Sequence, residues 1–171
     1  MTDRAPTTLD AEAIYAGLRG AIAAELARSP ARRPHLIGIH SGGAWIAQRL
    51  HRDLALATPL GTLSSAFHRD DYGRRGLPVE MKATELPFEI KGADIVLVDD
   101  ILFTGRTVRA ALNELFDYGR PARVELAVLL DRGGRELPIE ARYCGAVHPL
   151  EPGRNFVLSR DPGGTLALRI E

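Results

Sequence analysis

Apolar positions along the chain follow two alternating periods. Ile14, Leu18, Ile22 and Leu26 recur at every fourth residue, which predicts an amphipathic helix capped by Asp10, running to about Ala27 and stopped by Ser29-Pro30. Leu36 to Ile39 is a short apolar run and reads as a strand, followed by a turn at Ser41-Gly42-Gly43 and a helix from Ala44 to Leu54. Ile95 to Val98, rich in β-branched residues and closed by Asp99 and Asp100, reads as a second buried strand. From Arg106 the period returns to 3.6, with Val108, Ala111, Leu112, Leu115 and Phe116 on one face and Gly119 and Pro121 as a stop. Val124 to Leu130 supplies a third strand. Strand, helix, strand, helix, strand predicts an α/β chain with a doubly wound, mainly parallel sheet. Such sheets bind ligands at the carboxyl ends of their strands, so Ser41-Gly42-Gly43 and Asp99-Asp100 are expected on one edge. The residues before Leu9 read as a frayed tail, and no repeat or linker divides residues 1–171 into more than one domain.

Composition narrows the function classes. With 171 residues, 45% of them hydrophobic, the chain can bury a substantial core in one domain. Its 22 basic residues balance 22 acidic ones, so no overall field draws it to nucleic acid or membrane, and a nucleic-acid role requires a local patch. The single Cys144 can form no internal disulfide, and no long apolar span or leader pattern stands out, which makes the cytoplasm the expected compartment. A packing role suits Cys144 better than a nucleophilic one, and the five histidines show no paired spacing for zinc.

Chemistry concentrates at the expected ligand edge. Thr104, Gly105, Arg106 and Thr107 fall at a helix N-terminus, where unpaired N–H groups and the helix dipole favour a phosphate and glycine admits it closely. Asp99 and Asp100 are acceptors suited to sugar hydroxyls or to a divalent cation. Neighbours on an extended strand point to opposite faces, so both acids reach one ligand only if the chain turns at Asp100. The same residues also fit a strand ending in solvent before a threonine-capped helix, and spacing alone does not choose. Ser41, Gly42 and Gly43 read as a second anion-binding turn. Thr62 to Lys82 reads as a hairpin with the polar tip Arg69-Asp70-Asp71-Tyr72-Gly73-Arg74-Arg75-Gly76, either a lid or an ordinary surface hairpin.

The stretch Val96-Leu97-Val98-Asp99-Asp100-Ile101-Leu102-Phe103-Thr104-Gly105-Arg106-Thr107 resembles the phosphoribosyl-diphosphate (PRPP) motif of type I phosphoribosyltransferases. Gly119-Arg120-Pro121 and Leu129-Leu130-Asp131-Arg132-Gly133-Gly134-Arg135-Glu136-Leu137-Pro138-Ile139 are similar to the pyrimidine operon regulatory family, with further likeness through Arg69-Asp70-Asp71 and Leu36-Ile37-Gly38-Ile39. The resemblance implies a type I phosphoribosyltransferase fold with a flap at about residues 62–85 and a small hood. It implies the reaction of uracil with PRPP to give UMP and pyrophosphate, assisted by Mg2+. Asp99 and Asp100 are then expected to hold the ribose and the metal, Thr104, Gly105, Arg106 and Thr107 the 5′-phosphate, and Ser41, Gly42, Gly43 and Arg69 the pyrophosphate. Uracil is expected near Asp131 to Gly134, with Arg132 among the substrate contacts, and near Tyr143 to Ala146. A homo-oligomer is also implied.

Two departures matter. His40-Ser41-Gly42-Gly43 stands where relatives commonly carry a basic residue, threonine, arginine and glycine around a non-proline cis peptide, so a charge-assisted contact to pyrophosphate is missing. His40 either compensates in part or is bonded locally. Phe103 stands where 6-oxopurine enzymes commonly carry an acid and the pyrimidine family a tyrosine, which argues for a pyrimidine base. The alternative function is a transcription attenuator that senses UMP and PRPP and binds pyrimidine leader RNA with weak or no catalysis, for which Arg132, Arg135 and Arg142 are the candidate patch. Salvage of xanthine or orotate fits the Asp-Arg-Gly-Gly-Arg-Glu-Leu-Pro segment less well.

Overall fold

A computed structural model of the chain describes residues 8–64 and 82–171. In chain order the elements are β1 (Thr8–Leu9), α1 (Ala11–Arg28), β2 (His35–Ile39), α2 (Gly42–Asp53), β3 (Gly61–Leu63), β4 (Asp94–Leu102), α3 (Arg106–Asp117), β5 (Arg123–Asp131), β6 (Tyr143–Val147), β7 (Phe156–Arg160) and β8 (Leu166–Ile170). Five strands form a parallel sheet in the order β3-β2-β4-β5-β6, and β1-β8-β7 form a small antiparallel sheet, the hood.

The period-2 pattern of the central strands divides the core. Leu36, Val96, Val98 and Ala127 face α1 and α2, packing with Tyr15, Leu18, Ile22, Ile46 and Leu50. Ile37, Ile39, Ile95, Leu97 and Val128 face the other way, onto Val108, Ala111 and Leu115 of α3. The sheet is therefore covered on both sides, as parallel sheets must be. Asp10 caps α1 by accepting the Ala13 N–H at 3.0 Å. Gly145 lets α1 approach β6, because a Cβ there would meet Ile14 O at 2.6 Å and Leu129 O at 2.5 Å.

Several sequence expectations need correction. β4 does not stop at the acids but runs through them to Leu102. Thr8 and Leu9 are not frayed; they pair with Arg169 and Leu168 of β8. α2 starts at Gly42, two residues early. The hood strands β7 and β8 were not anticipated individually, although Leu166-Ala167-Leu168-Arg169-Ile170 alternates buried and exposed and Asp161-Pro162-Gly163-Gly164 is a turn signal. Most of the expected flap, Arg69 included, lies outside the described residues. Its two ends are paired at their base, with Thr62 and Glu85 exchanging backbone hydrogen bonds of 2.8 and 2.9 Å.

A polar network ties the amino-terminal ends of three strands. The Arg32 side chain, 5% exposed, donates to Asp94 at 2.7 Å, to Glu125 at 2.6 Å and to the Tyr143 hydroxyl at 3.1 Å, and Tyr143 donates in turn to Glu125. Burial alone would raise the Asp94 carboxyl, but Arg32 and Arg123 outweigh it and hold its pKa below the ordinary value. A carboxyl depressed by folding stabilises the native state above its unfolded pKa and loses that contribution as the pH falls. Arg32→Met should therefore cost about 3 kcal/mol at neutral pH by leaving Glu125 without its buried cation and Asp94 with Arg123 alone. Denaturation curves should also show a shallower loss of stability below about pH 4 for the variant than for the wild type. Equal stability and equal acid dependence would contradict the assigned role.

Candidate active site

The site is built where α2 and α3 begin, at the carboxyl ends of β2 and β4. The backbones crowd there. A Cβ on Gly38 would lie 2.5 Å from Ala44 Cα, and one on Gly43 would lie 2.4 Å from Val98 O and 2.9 Å from Asp99 Cα. Only glycine allows this approach, and it brings the Ser41-Gly42-Gly43 turn directly against the two acids. The His40–Ser41 peptide bond is cis.

The alternation along β4 slips at the acids. Val96 and Val98 belong with the α1/α2 core and Leu97 with the α3 core, yet Ile101 packs with the former and Leu102 with the latter. β5 slips likewise, because Leu129 and Leu130 both join the α1/α2 core. The sequence requires a turn at Asp100 for both acids to reach one ligand; the chain instead stays in strand through to Leu102, and what changes between Asp99 and Ile101 is which core the side chains join. The acids differ in setting. Asp99 is only 2% exposed and accepts the Asp100 N–H at 2.9 Å, whereas Asp100 is half-buried and accepts the Ile101 N–H at 2.8 Å through Oδ1. Asp100 Oδ2 lies where a side chain on Gly42 would begin, 2.3 Å from a Cβ built there.

The second loop is braced from outside. Gly105 takes φ +93°, a conformation that favours glycine, and starts α3. The segment after β5 then docks on it. Thr104 O accepts the N–H groups of Glu136 and Leu137 at 2.9 and 3.1 Å, Arg106 Nε donates to Glu136 at 2.8 Å, and Ile139 lies against Gly105. Arg135 donates to Phe103 O and, at 2.6 Å, to Asp131. The Asp-Arg-Gly-Gly-Arg-Glu-Leu-Pro segment is therefore first a scaffold for residues 102–106, a role that sequence reasoning missed because no local pattern announces a long-range brace.

Arg132 is the unusual member of this segment. It is 9% exposed, its guanidinium stacks 3.9 Å from the Phe103 ring centroid, and it donates to Asn155 Oδ1 at 3.3 Å and Arg154 O at 3.1 Å. Its Nε is buried without an acceptor, and burial lowers its pKa. No carboxylate lies within ion-pair distance of it among the described residues, so this buried cation is satisfied only by neutral groups. Phe103, 44% exposed, presses on Gly134, whose φ is +74°.

The other expected groups do not all converge. His40 is held below its ordinary pKa by burial and by the charge of Lys82, which disfavours its standing in for the missing cation of the loop. The expected basic patch does not form, because Arg132 is buried, Arg135 is tied to Asp131, and Arg142 lies 3.6 Å from Glu25. Cys144 donates to Ala146 O at 3.0 Å, and burial raises its pKa, as a packing thiol requires. No helix is long and apolar enough to cross a membrane among the described residues.

Comparison with known proteins agrees with this geometry. The phosphoribosyl transferase domain model matches residues 7–148. A bifunctional protein PyrR of Ralstonia nicotianae is 50% identical over 159 residues, covering 93% of this chain and 91% of the relative. That of Nitrosococcus oceani is 45% identical over 156 residues, covering 90% and 88%. Among solved structures, a hypoxanthine-guanine phosphoribosyltransferase of Bacillus anthracis superposes with a TM-score of 0.65 at 20% identity, covering 86% of this chain and 85% of that one, a likeness of fold.

A buried cation without a carboxylate contributes little to stability, so Arg132→Met should fall within about 1 kcal/mol of the wild type in chemical denaturation. A loss of about 3 kcal/mol or more, like that expected at Arg32, would show instead that Arg132 is a structural residue.

Proposed function

Because the chain belongs to the phosphoribosyl transferase family and, among type I phosphoribosyltransferases, to the pyrimidine operon regulatory (PyrR) proteins, we propose that it transfers ribose 5-phosphate from PRPP to N1 of uracil. The observation that carries the reading is the contact between the Ser41-Gly42-Gly43 turn and the Asp99-Asp100 strand end, next to the glycine-opened N-terminus of α3. Two anion-binding turns on either side of a pair of acids match a ligand with a phosphate at one end, a diphosphate at the other and a ribose between them.

In this mechanism the C1′–O bond to pyrophosphate breaks, the leaving group keeps the electron pair, and N1 of uracil forms the new bond as it gives up its proton. The backbone N–H groups and hydroxyls of Thr104, Gly105, Arg106 and Thr107 anchor the 5′-phosphate. Asp100 accepts from the ribose, and the negative charge of both acids favours the positive charge developing at C1′. Ser41, Gly42 and Gly43 receive the pyrophosphate, with Arg69 from the flap as a further proposed contact. Arg132 and Phe103 offer a cation and an aromatic face to the base, whose carbonyl oxygens suit the guanidinium. The work is mainly positioning and electrostatics.

The donor set fits magnesium. Asp99 and Asp100 offer hard oxygens, and no group of three or more His, Cys, Asp or Glu side chains able to hold an ion gathers among the described residues. Magnesium commonly takes one or two carboxylates and completes its shell with water and phosphate oxygens. Bound with the diphosphate, it supplies charge neutralisation at the leaving group. The cytoplasm and a homo-oligomer are part of the same proposal.

One observation favours the attenuator as a second reading. The turn proposed for pyrophosphate has a carboxylate beside it and a His40 whose charged form burial disfavours, a poor setting for catalysis on a polyanion. Binding to pyrimidine leader RNA, with an affinity that falls steeply with salt, is its test.

Nucleotide formation from PRPP and Mg2+ is the direct assay, with uracil, orotate, hypoxanthine, guanine and xanthine offered separately. UMP from uracil alone is expected, and Asp100→Asn should lower turnover at least about tenfold with an unchanged melting temperature. A purine nucleotide, or full activity in Asp100→Asn, would overturn the assignment. No product from any base, with UMP still bound, would favour the attenuator.

A further inference from the structure

The turn that faces the diphosphate half of the ligand holds a negative charge in the place of a side chain. Gly42 is the first residue of α2, and a Cβ there would lie 2.3 Å from Asp100 Oδ2, 2.8 Å from its Cγ and 3.0 Å from its Cβ. The space at Gly42 is thus filled by the Asp100 carboxylate and by nothing else within 3.0 Å. At Gly38 and Gly43 the intruding atoms are backbone, so those glycines are required by packing. At Gly42 the two nearest atoms, Oδ2 and Cγ, belong to a carboxylate that can rotate and only the Asp100 Cβ at 3.0 Å is fixed, so the crowding there is mainly with a side chain. Asp100 is itself steadied in this pose by the bond from the Ile101 N–H to Oδ1. Neither neighbouring side chain of the turn is a fixed cation, since Ser41 is neutral and burial disfavours the charged form of His40.

Resting on the reading above, we infer that Gly42 sets the ligand preference of the site by letting Asp100 occupy the pyrophosphate turn. A diphosphate entering the turn meets a carboxylate that must swing aside, while a ligand with only a 5′-phosphate sits at Thr104 to Thr107 and does not compete for that space. Gly42 therefore weakens PRPP and pyrophosphate relative to UMP. The site is tuned towards reading the nucleotide product, and Gly42 is a specificity-determining residue rather than a spacer.

The test uses the full chain and isothermal titration with three probes: inorganic pyrophosphate without divalent cation, PRPP with Mg2+, and UMP. Asp100→Asn keeps the shape and removes the charge, and it should tighten inorganic pyrophosphate by about three- to tenfold, since a charge a few ångströms away is removed. Gly42→Arg displaces the carboxylate and adds a cation, and it should raise the affinity for PRPP relative to UMP by about tenfold, as a charge-assisted contact does, because any loss of the Asp100–ribose contact falls on both ligands. Gly42→Ala fills the space without adding charge and serves as the control for crowding. Pyrophosphate binding that is unchanged or weaker in Asp100→Asn would overturn the inference, and so would equal changes in PRPP and UMP for Gly42→Arg. If Gly42→Arg does not fold, the Asp100→Asn result decides alone. A wild type that binds neither PRPP nor UMP would instead overturn the functional reading on which the inference rests.

Discussion

Everything at the site depends on how closely the first turn of α2 approaches the ends of β2 and β4. Gly38 and Gly43 remove the two side chains that would hold these backbones apart, with clashes at 2.5 and 2.4 Å against main-chain atoms that cannot move independently. The approach has two consequences. It delivers the N–H groups of the Ser41-Gly42-Gly43 turn to the side of the acids, and it lets helix and strand share the buried layer of Leu36, Ile46, Val96 and Val98. Core packing and the placement of the Ser41-Gly42-Gly43 turn beside the two acids are therefore one constraint.

The second loop is fixed differently. Thr104, Gly105 and Arg106 are held by hydrogen bonds and contacts from Glu136, Leu137 and Ile139 and not by a close-packed glycine seam. The same brace carries Arg132 into a buried place where the hood contributes Arg154 O and Asn155. Burying a cation with no carboxylate partner costs free energy that a purely structural residue would avoid. Stacked on the exposed ring of Phe103, it ties the segment after β5 to the chain beside the C-terminal strands.

Much of this was legible in the chain. The fourfold spacing of Ile14 to Leu26, the return to a helical period at Val108 and the short β-branched runs gave three helices and the central strands, because each pattern reflects burial on one side of a regular element. The turn that opens α3 was legible from Gly105 and the helical period that follows it. What escaped notice depends on distant partners. The slip of alternation at Asp100 involves β5 as well as β4, the brace joins residues about thirty positions apart, and the pairing of Thr8 with Arg169 spans nearly the whole chain. The three arginines proposed as a basic patch have separate settings that sequence proximity does not reveal, Arg132 buried against neutral groups and Arg135 and Arg142 each beside a carboxylate.

The central claim is that the two turns bind the two ends of one ligand, and amide NMR of the full chain tests it most directly. Addition of PRPP with Mg2+ should shift the Gly42 and Gly43 amides together with those of Gly105 and Thr107. Ribose 5-phosphate should shift Gly105 and Thr107 strongly and leave Gly42 and Gly43 near their free positions. Shifts confined to one turn with PRPP, or centred away from both, would contradict the account.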